Sequence, residues 1–169
     1  FFPSENSAEM LFNIVQRVFD TYDAWDERMQ RMALSERTMR TLLDSSYRIF
    51  HNPILVCTSA GFIIDYSTMM DTMPEFQDIL QHNQILAAVK SEISSHSGEV
   101  QKYEDPQTQK NNLFVEIYDK NHNAYRVILA ESSRKFRHYD EYLLVHLSKY
   151  IQQMLEKYTV LQSDLSYTL

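Results

Sequence analysis

The chain has 169 residues, 44% hydrophobic and 23% charged, which is enough to bury a core as one domain with appended helices and too apolar for disorder. Its 23 Asp+Glu against 16 Lys+Arg give a net charge of −7, which argues against a nucleic-acid surface built on clustered cations. Two Gly exclude most glycine-built phosphate loops, and one Cys excludes an intramolecular disulfide framework.

The chain opens Phe1-Phe2-Pro3 without the pattern of a secretory signal and closes on Tyr167-Thr168-Leu169 without a helix stop. Both ends are expected to continue into a longer protein. No apolar run reaches the roughly 20 residues that cross a bilayer, and a lone Cys57 fits a reducing compartment. The expected setting is therefore the cytoplasm, away from membranes.

The first third reads as helix. Leu11, Ile14, Val15, Val18 and Tyr22 recur at steps of three and four and share one face. Ser4, Asn6 or Ser7 is a candidate cap. Asp23 is read as the cap of a second helix carrying Trp25, Met29 and Met32. Ser35 is read as the cap of a third, with Met39, Leu42, Leu43, Ser46, Tyr47 and Phe50, ending near His51-Asn52 because Pro53 disfavours helix in the residue before it.

The period then changes. Ile54-Leu55-Val56-Cys57, the turn Ser59-Ala60-Gly61, and Phe62-Ile63-Ile64-Asp65-Tyr66 predict a β-hairpin. Pro74 is expected to start a helix with Phe76, Ile79 and Leu80. Another helix is expected to hold Ile85, Leu86, Val89 and Ile93. Glu99-Val100-Gln101-Lys102-Tyr103 reads as a short edge strand, and 104–112 as a polar loop. Leu113 to Tyr118 and Tyr125 to Leu129 form a second hairpin around an Asn- and Asp-rich turn. A long helix starts near Phe136. Its stripe Tyr139, Leu143, Leu147, Tyr150, Met154, Tyr158 and Leu161, widened by Leu144, Ile151 and Leu155, can cover a core and still offer a seam. This order predicts an α+β domain, an antiparallel five-stranded sheet flanked by helices.

Certain residues carry a resemblance. Tyr22-Asp23-Ala24-Trp25-Asp26, Leu42-Leu43-Asp44, Asn52-Pro53-Ile54, Asp65-Tyr66-Ser67, and Val127 to Glu131 followed by Phe136 and Asp140 form the set. Together they resemble the GAF-like (PAS/GAF superfamily) sensor region of bacterial PucR-type and related helix-turn-helix transcriptional regulators. The resemblance covers most of the chain, roughly 11–158. It implies connecting helices over 1–35, a sensor domain over 36–158, and a linker over 159–169 towards an output domain. It also implies a signal-sensing role in transcription regulation, with an unidentified small molecule as effector and a homodimer as the working unit. The DNA-contacting part would lie outside this fragment. Two alternatives stand beside this reading: a ligand-free dimerisation or docking module, and the input domain of a signalling enzyme.

Candidate sites follow. Tyr66, Met69, Met70, Met73 and Phe76, with Phe114 and Tyr118, are either an adaptable apolar ligand pocket or ordinary core. Arg126 is expected opposite Glu116 across the second hairpin; facing inward it would anchor an anion in that pocket, facing outward it would be a surface ion pair. Leu143, Leu147, Tyr150, Met154, Tyr158 and Leu161 form the expected dimer seam. Cys57 reads as a small buried hydrophobe, since no activating partner is apparent. His51, His82, His96, His122, His138 and His146 show no metal-ligand spacing. Asp23/Asp26 and Asp140/Glu141 sit where helix dipoles favour acids. No catalytic set, metal or cofactor is expected, so the domain is read as non-enzymatic.

Overall fold

The computed structural model describes residues 5–35, 37–85, 98–106 and 108–167, with side chains described only between 7 and 157. Helix α1 (Glu5–Leu34) runs unbroken for 30 residues, where a second start at Asp23 was predicted. No Gly or Pro interrupts this stretch, so nothing forces a break at Asp23. Its apolar residues Ala8, Leu11, Val15, Val18, Tyr22, Trp25, Met29 and Met32 alternate steps of three and four throughout, a single seam on one face.

Helix α2 (Met39–Phe50) is capped by Thr38, not by the predicted Ser35; the Thr38 side chain accepts from the Thr41 N–H. It stops at His51, which takes the left-handed conformation (φ 52°), as the following Asn52-Pro53 requires a change of direction. Strands β1 (Ile54–Thr58) and β2 (Ile63–Tyr66) make the first hairpin. Its turn contains Gly61 at φ 91°, a conformation that favours glycine. Two 3-10 turns (Thr68–Thr72 and Pro74–Phe76) lead into the short helix α3 (Gln77–His82). The predicted helix of Ile85, Leu86, Val89 and Ile93 lies largely outside the described residues.

Strand β3 (Val100–Asp105) forms the expected edge. The predicted loop 104–112 is mostly strand, because Glu104 pairs with Asn111 and Asp105 with Lys110 as β3 turns into β4 (Lys110–Tyr118). Strand β5 (Ala124–Ala130) follows a turn organised by Asp119, whose carboxylate accepts from the Asn121 and Asn123 N–H groups. Burial pushes the Asp119 carboxyl up, but these bonds and those from the Asn123 side chain and Tyr125 hold it below its ordinary value. Helix α4 (Asp140–Tyr167) ends the described chain. The sheet order is β2-β1-β5-β4-β3, antiparallel at every pairing.

Alternation along the strands gives the sheet two apolar faces. Ile54, Val56, Leu113, Val115, Ile117, Val127 and Leu129 point to the first, where α2 and α4 cover them and α1 packs on those two helices. Leu55, Cys57, Phe114 and Ile128 point to the second, beneath the 3-10 turns and α3. Asn52 joins the elements. It is fully buried; its Oδ1 accepts from the backbone N–H groups of Ser132 (3.1 Å), Ser133 (2.9 Å) and Arg134 (3.1 Å), and its Nδ2 donates to the Arg134 carbonyl (3.0 Å).

Helices α1 and α4 run in the same direction side by side. Tyr22 stacks edge-on against Tyr139, Asp26 meets His146 and Tyr150, and Lys157 donates to the Ala33 carbonyl. The Asp26 carboxyl is held below its ordinary range first by the Tyr150 hydroxyl (2.5 Å) and then by His146, against the opposing effect of burial. A carboxyl lowered on folding adds stability above the ordinary value of about 3.9, lost as pH falls through its folded value. Asp26→Asn is therefore expected to flatten the acid limb of a melting-temperature profile below about pH 4. The side chain is 44% exposed, so the effect stays under about 1 kcal/mol. An unchanged acid limb in circular-dichroism melts would remove this assignment.

Candidate functional site

The second face of the sheet carries the candidate site. Met70, Phe76 and Phe114 are buried there, and Tyr66 and Met73 pack against them half-buried. Five of the predicted pocket residues thus meet on one face. Met69 is half-buried outside this group. The cavity among Leu55, Met70, Phe76, Ile79, Tyr103 and Ile128 measures about 20 Å³, space for roughly one water.

Arg126 stands directly opposite Glu116 in the β4–β5 register, on this same face. Both side chains point inward, 8% and 9% exposed, with Arg126 Nε 3.6 Å from Glu116 Oε2. The rarity of buried Arg favours the outward orientation from sequence; the structure has the inward one. The guanidinium lies 5.1 Å from the Phe114 ring centroid, a cation–π contact. Tyr118 donates its hydroxyl to Glu116 Oε1 (2.5 Å), which ties a third predicted pocket residue to the pair. That bond is the main reason the Tyr118 hydroxyl is pushed up from its ordinary value.

Other residues of this face are not singled out by the sequence pattern alone. Tyr103 lies edge-on to Phe114 with ring centroids 5.5 Å apart. Asp105 and Asn112 are buried beside the cavity. Gln101 brings a buried amide oxygen that has no hydrogen-bond partner among the described residues. Their signal was the period of two along β3 and β4, which places 101, 103 and 105 on the face of 112, 114 and 116. Cys57, opposite Arg126 in the β1–β5 register, is fully buried. Burial pushes its thiol up to about 12, against the opposing charge of Arg126, so it stays protonated and unreactive at neutral pH.

Within the protomer, described residues of the expected dimer seam on α4 already have other partners. Leu147 and Met154 are buried in the first-face core, 0% and 2% exposed. Leu143 packs against that core, and Tyr150 spends its hydroxyl on Asp26. The wide stripe is needed because α4 meets both the sheet and α1. The side chains of Tyr158 and Leu161 lie outside the described residues.

Among the described residues no three His, Cys, Asp or Glu side chains are grouped to hold a metal ion, and no helix is long and apolar enough to cross a membrane. No protein-family model matches the chain, and no curated protein matches it either.

Proposed function

We propose that this chain is the signal-sensing regulatory domain of a bacterial transcriptional regulator, of GAF/PAS-like type, acting in the cytoplasm without catalysis of its own. Five antiparallel strands between a long first and a long last helix support that reading. The observation that carries it is the inward Arg126–Glu116 pair at the edge of an apolar, Met-containing face. A small acid entering there would take the place of Glu116 on the Arg126 guanidinium, a bidentate geometry that Arg favours. Such a ligand shifts the domain only through unequal affinity for two arrangements. Helices α1 and α4 are the elements that would carry the shift outward.

A thermal-shift screen with small carboxylic acids tests this. A ligand at a hundred times its Kd adds about 2.7 kcal/mol, expected to appear as a rise of roughly 5–10 °C for a domain of this size. The double variant Glu116→Gln, Arg126→Met removes both charges together, which keeps the fold, and is expected to lose the rise. A rise of equal size in the double variant would discard Arg126 as the anchor.

The cavity of about 20 Å³ favours a second reading, a docking module whose second face is simply filled core. On that reading no acid in the screen raises the melting temperature.

A further inference from the structure

We infer that the first half of α1 is the contact by which two copies of this chain pair, as a parallel, in-register two-helix seam. The seam of α1 is one continuous stripe with two fates. From Trp25 onward it is buried, with Trp25 4% and Met29 0% exposed against α2 and α4. Before Tyr22 the same stripe and its flanks are bare: Leu11, Phe12, Ile14, Val15, Val18 and Phe19 are between 44% and 66% exposed. The partner must therefore continue, end to end, an interface the protomer has already built with other helices.

The distribution of charge points to a helix as that partner. With Val15 at position a and Leu11 and Val18 at d of a heptad, Phe12 and Phe19 fall at e and Ile14 at g. Between Ala8 and Asp23 every charged residue, Glu9, Arg17, Asp20 and Asp23, falls at b, c or f, on the opposite side. A face without charge matches an identical face without charge, as an isologous dimer requires. Val15 at a with Leu11 at d is the pairing that favours two parallel strands, and Val18 fills the next d position. The six exposed side chains offer roughly 600 Å² per copy, near the ~800 Å² per partner of a standard interface. Helix α4 cannot be the cover: its contacts with α1 advance from Tyr22 towards Ala33, away from the bare half. The inference goes beyond the sensor reading, since the seam needs no ligand.

Sedimentation of the full chain at tens of micromolar tests it. The expected mass is twice the 20.1 kDa of the protomer. Leu11→Glu with Val18→Glu replaces two side chains that the protomer leaves exposed, so the expected result is a folded monomer with an unaltered circular-dichroism spectrum. Under mild oxidation Val15→Cys is expected to form a covalent dimer several-fold faster than Asn13→Cys at the outer f position. Cys57 is buried and does not compete. A wild-type protein that sediments as a monomer, and so leaves this face to some other partner, overturns the proposal. So does a double variant that remains dimeric, or cross-linking no faster at Val15 than at Asn13.

Discussion

Leu147→Glu is expected to abolish cooperative folding. Leu147 is fully buried in the first-face core, where α4 lies on the sheet. Truncating a leucine in such a place costs about 2–5 kcal/mol through lost transfer energy and an unfilled cavity. A carboxylate set there without a partner adds several more by desolvation. Total stability for a domain is about 5–15 kcal/mol, so the sum removes most or all of it. The variant is expected to show no thermal transition and a collapsed amide spectrum by NMR. A leucine on a free dimer seam would behave differently: its replacement would change the sedimenting mass and leave the protomer melt within about 0.5 kcal/mol. A well-folded Leu147→Glu monomer would restore the α4 seam.

Asn52→Ala is expected to lower stability by about 2–4 kcal/mol, because it leaves the N–H groups of Ser133 and Arg134 and the Arg134 carbonyl without the partner Asn52 gave them, while the Ser132 N–H keeps only the Ala130 carbonyl. The figure sits low for four lost bonds because Ser133 is exposed and water can replace part of the loss. The melting temperature should fall by roughly 5–15 °C. In urea the midpoint should move while the slope stays, since the unfolded surface is unchanged. Asn52→Asp keeps the acceptor but sets a carboxylate oxygen against the Arg134 carbonyl, so its expected loss is similar in direction. A melt equal to wild type for Asn52→Ala would show that the turn 131–135 holds itself.

Both residues were visible in the sequence, but for different reasons. Asn52-Pro53 was legible as a helix stop, because proline restricts its predecessor locally. Its second role, tying down a turn some 80 residues away, has no local trace. The first hairpin was legible from its β-branched run and Gly61, and the second from its turn chemistry around Asp119. The strand within 104–112 was not, since an edge pairing such as Glu104 with Asn111 asks for backbone bonds and not for apolar side chains. The stripes of α1 and α4 were both legible as stripes. Periodicity says that a face is covered, not by what, so it suggests a seam on α4 even though Leu147 is covered from within. At the candidate site the register of Glu116 with Arg126 was legible. Their inward direction was not, because it depends on which face the α3 layer covers.

The strand order bears on how the chain is made. The centre of the sheet, β5, is its last strand to be synthesised, and it separates the two hairpin-forming pairs β2-β1 and β4-β3. Until residue 130 has left the ribosome, β1 and β4 each keep an open edge and have no hydrogen bond to one another. The sheet therefore closes late and over long loops, a slow step by contact order. A chain stopped before 124 would present two unpaired apolar edges at once, the condition under which nascent chains aggregate or call for a chaperone.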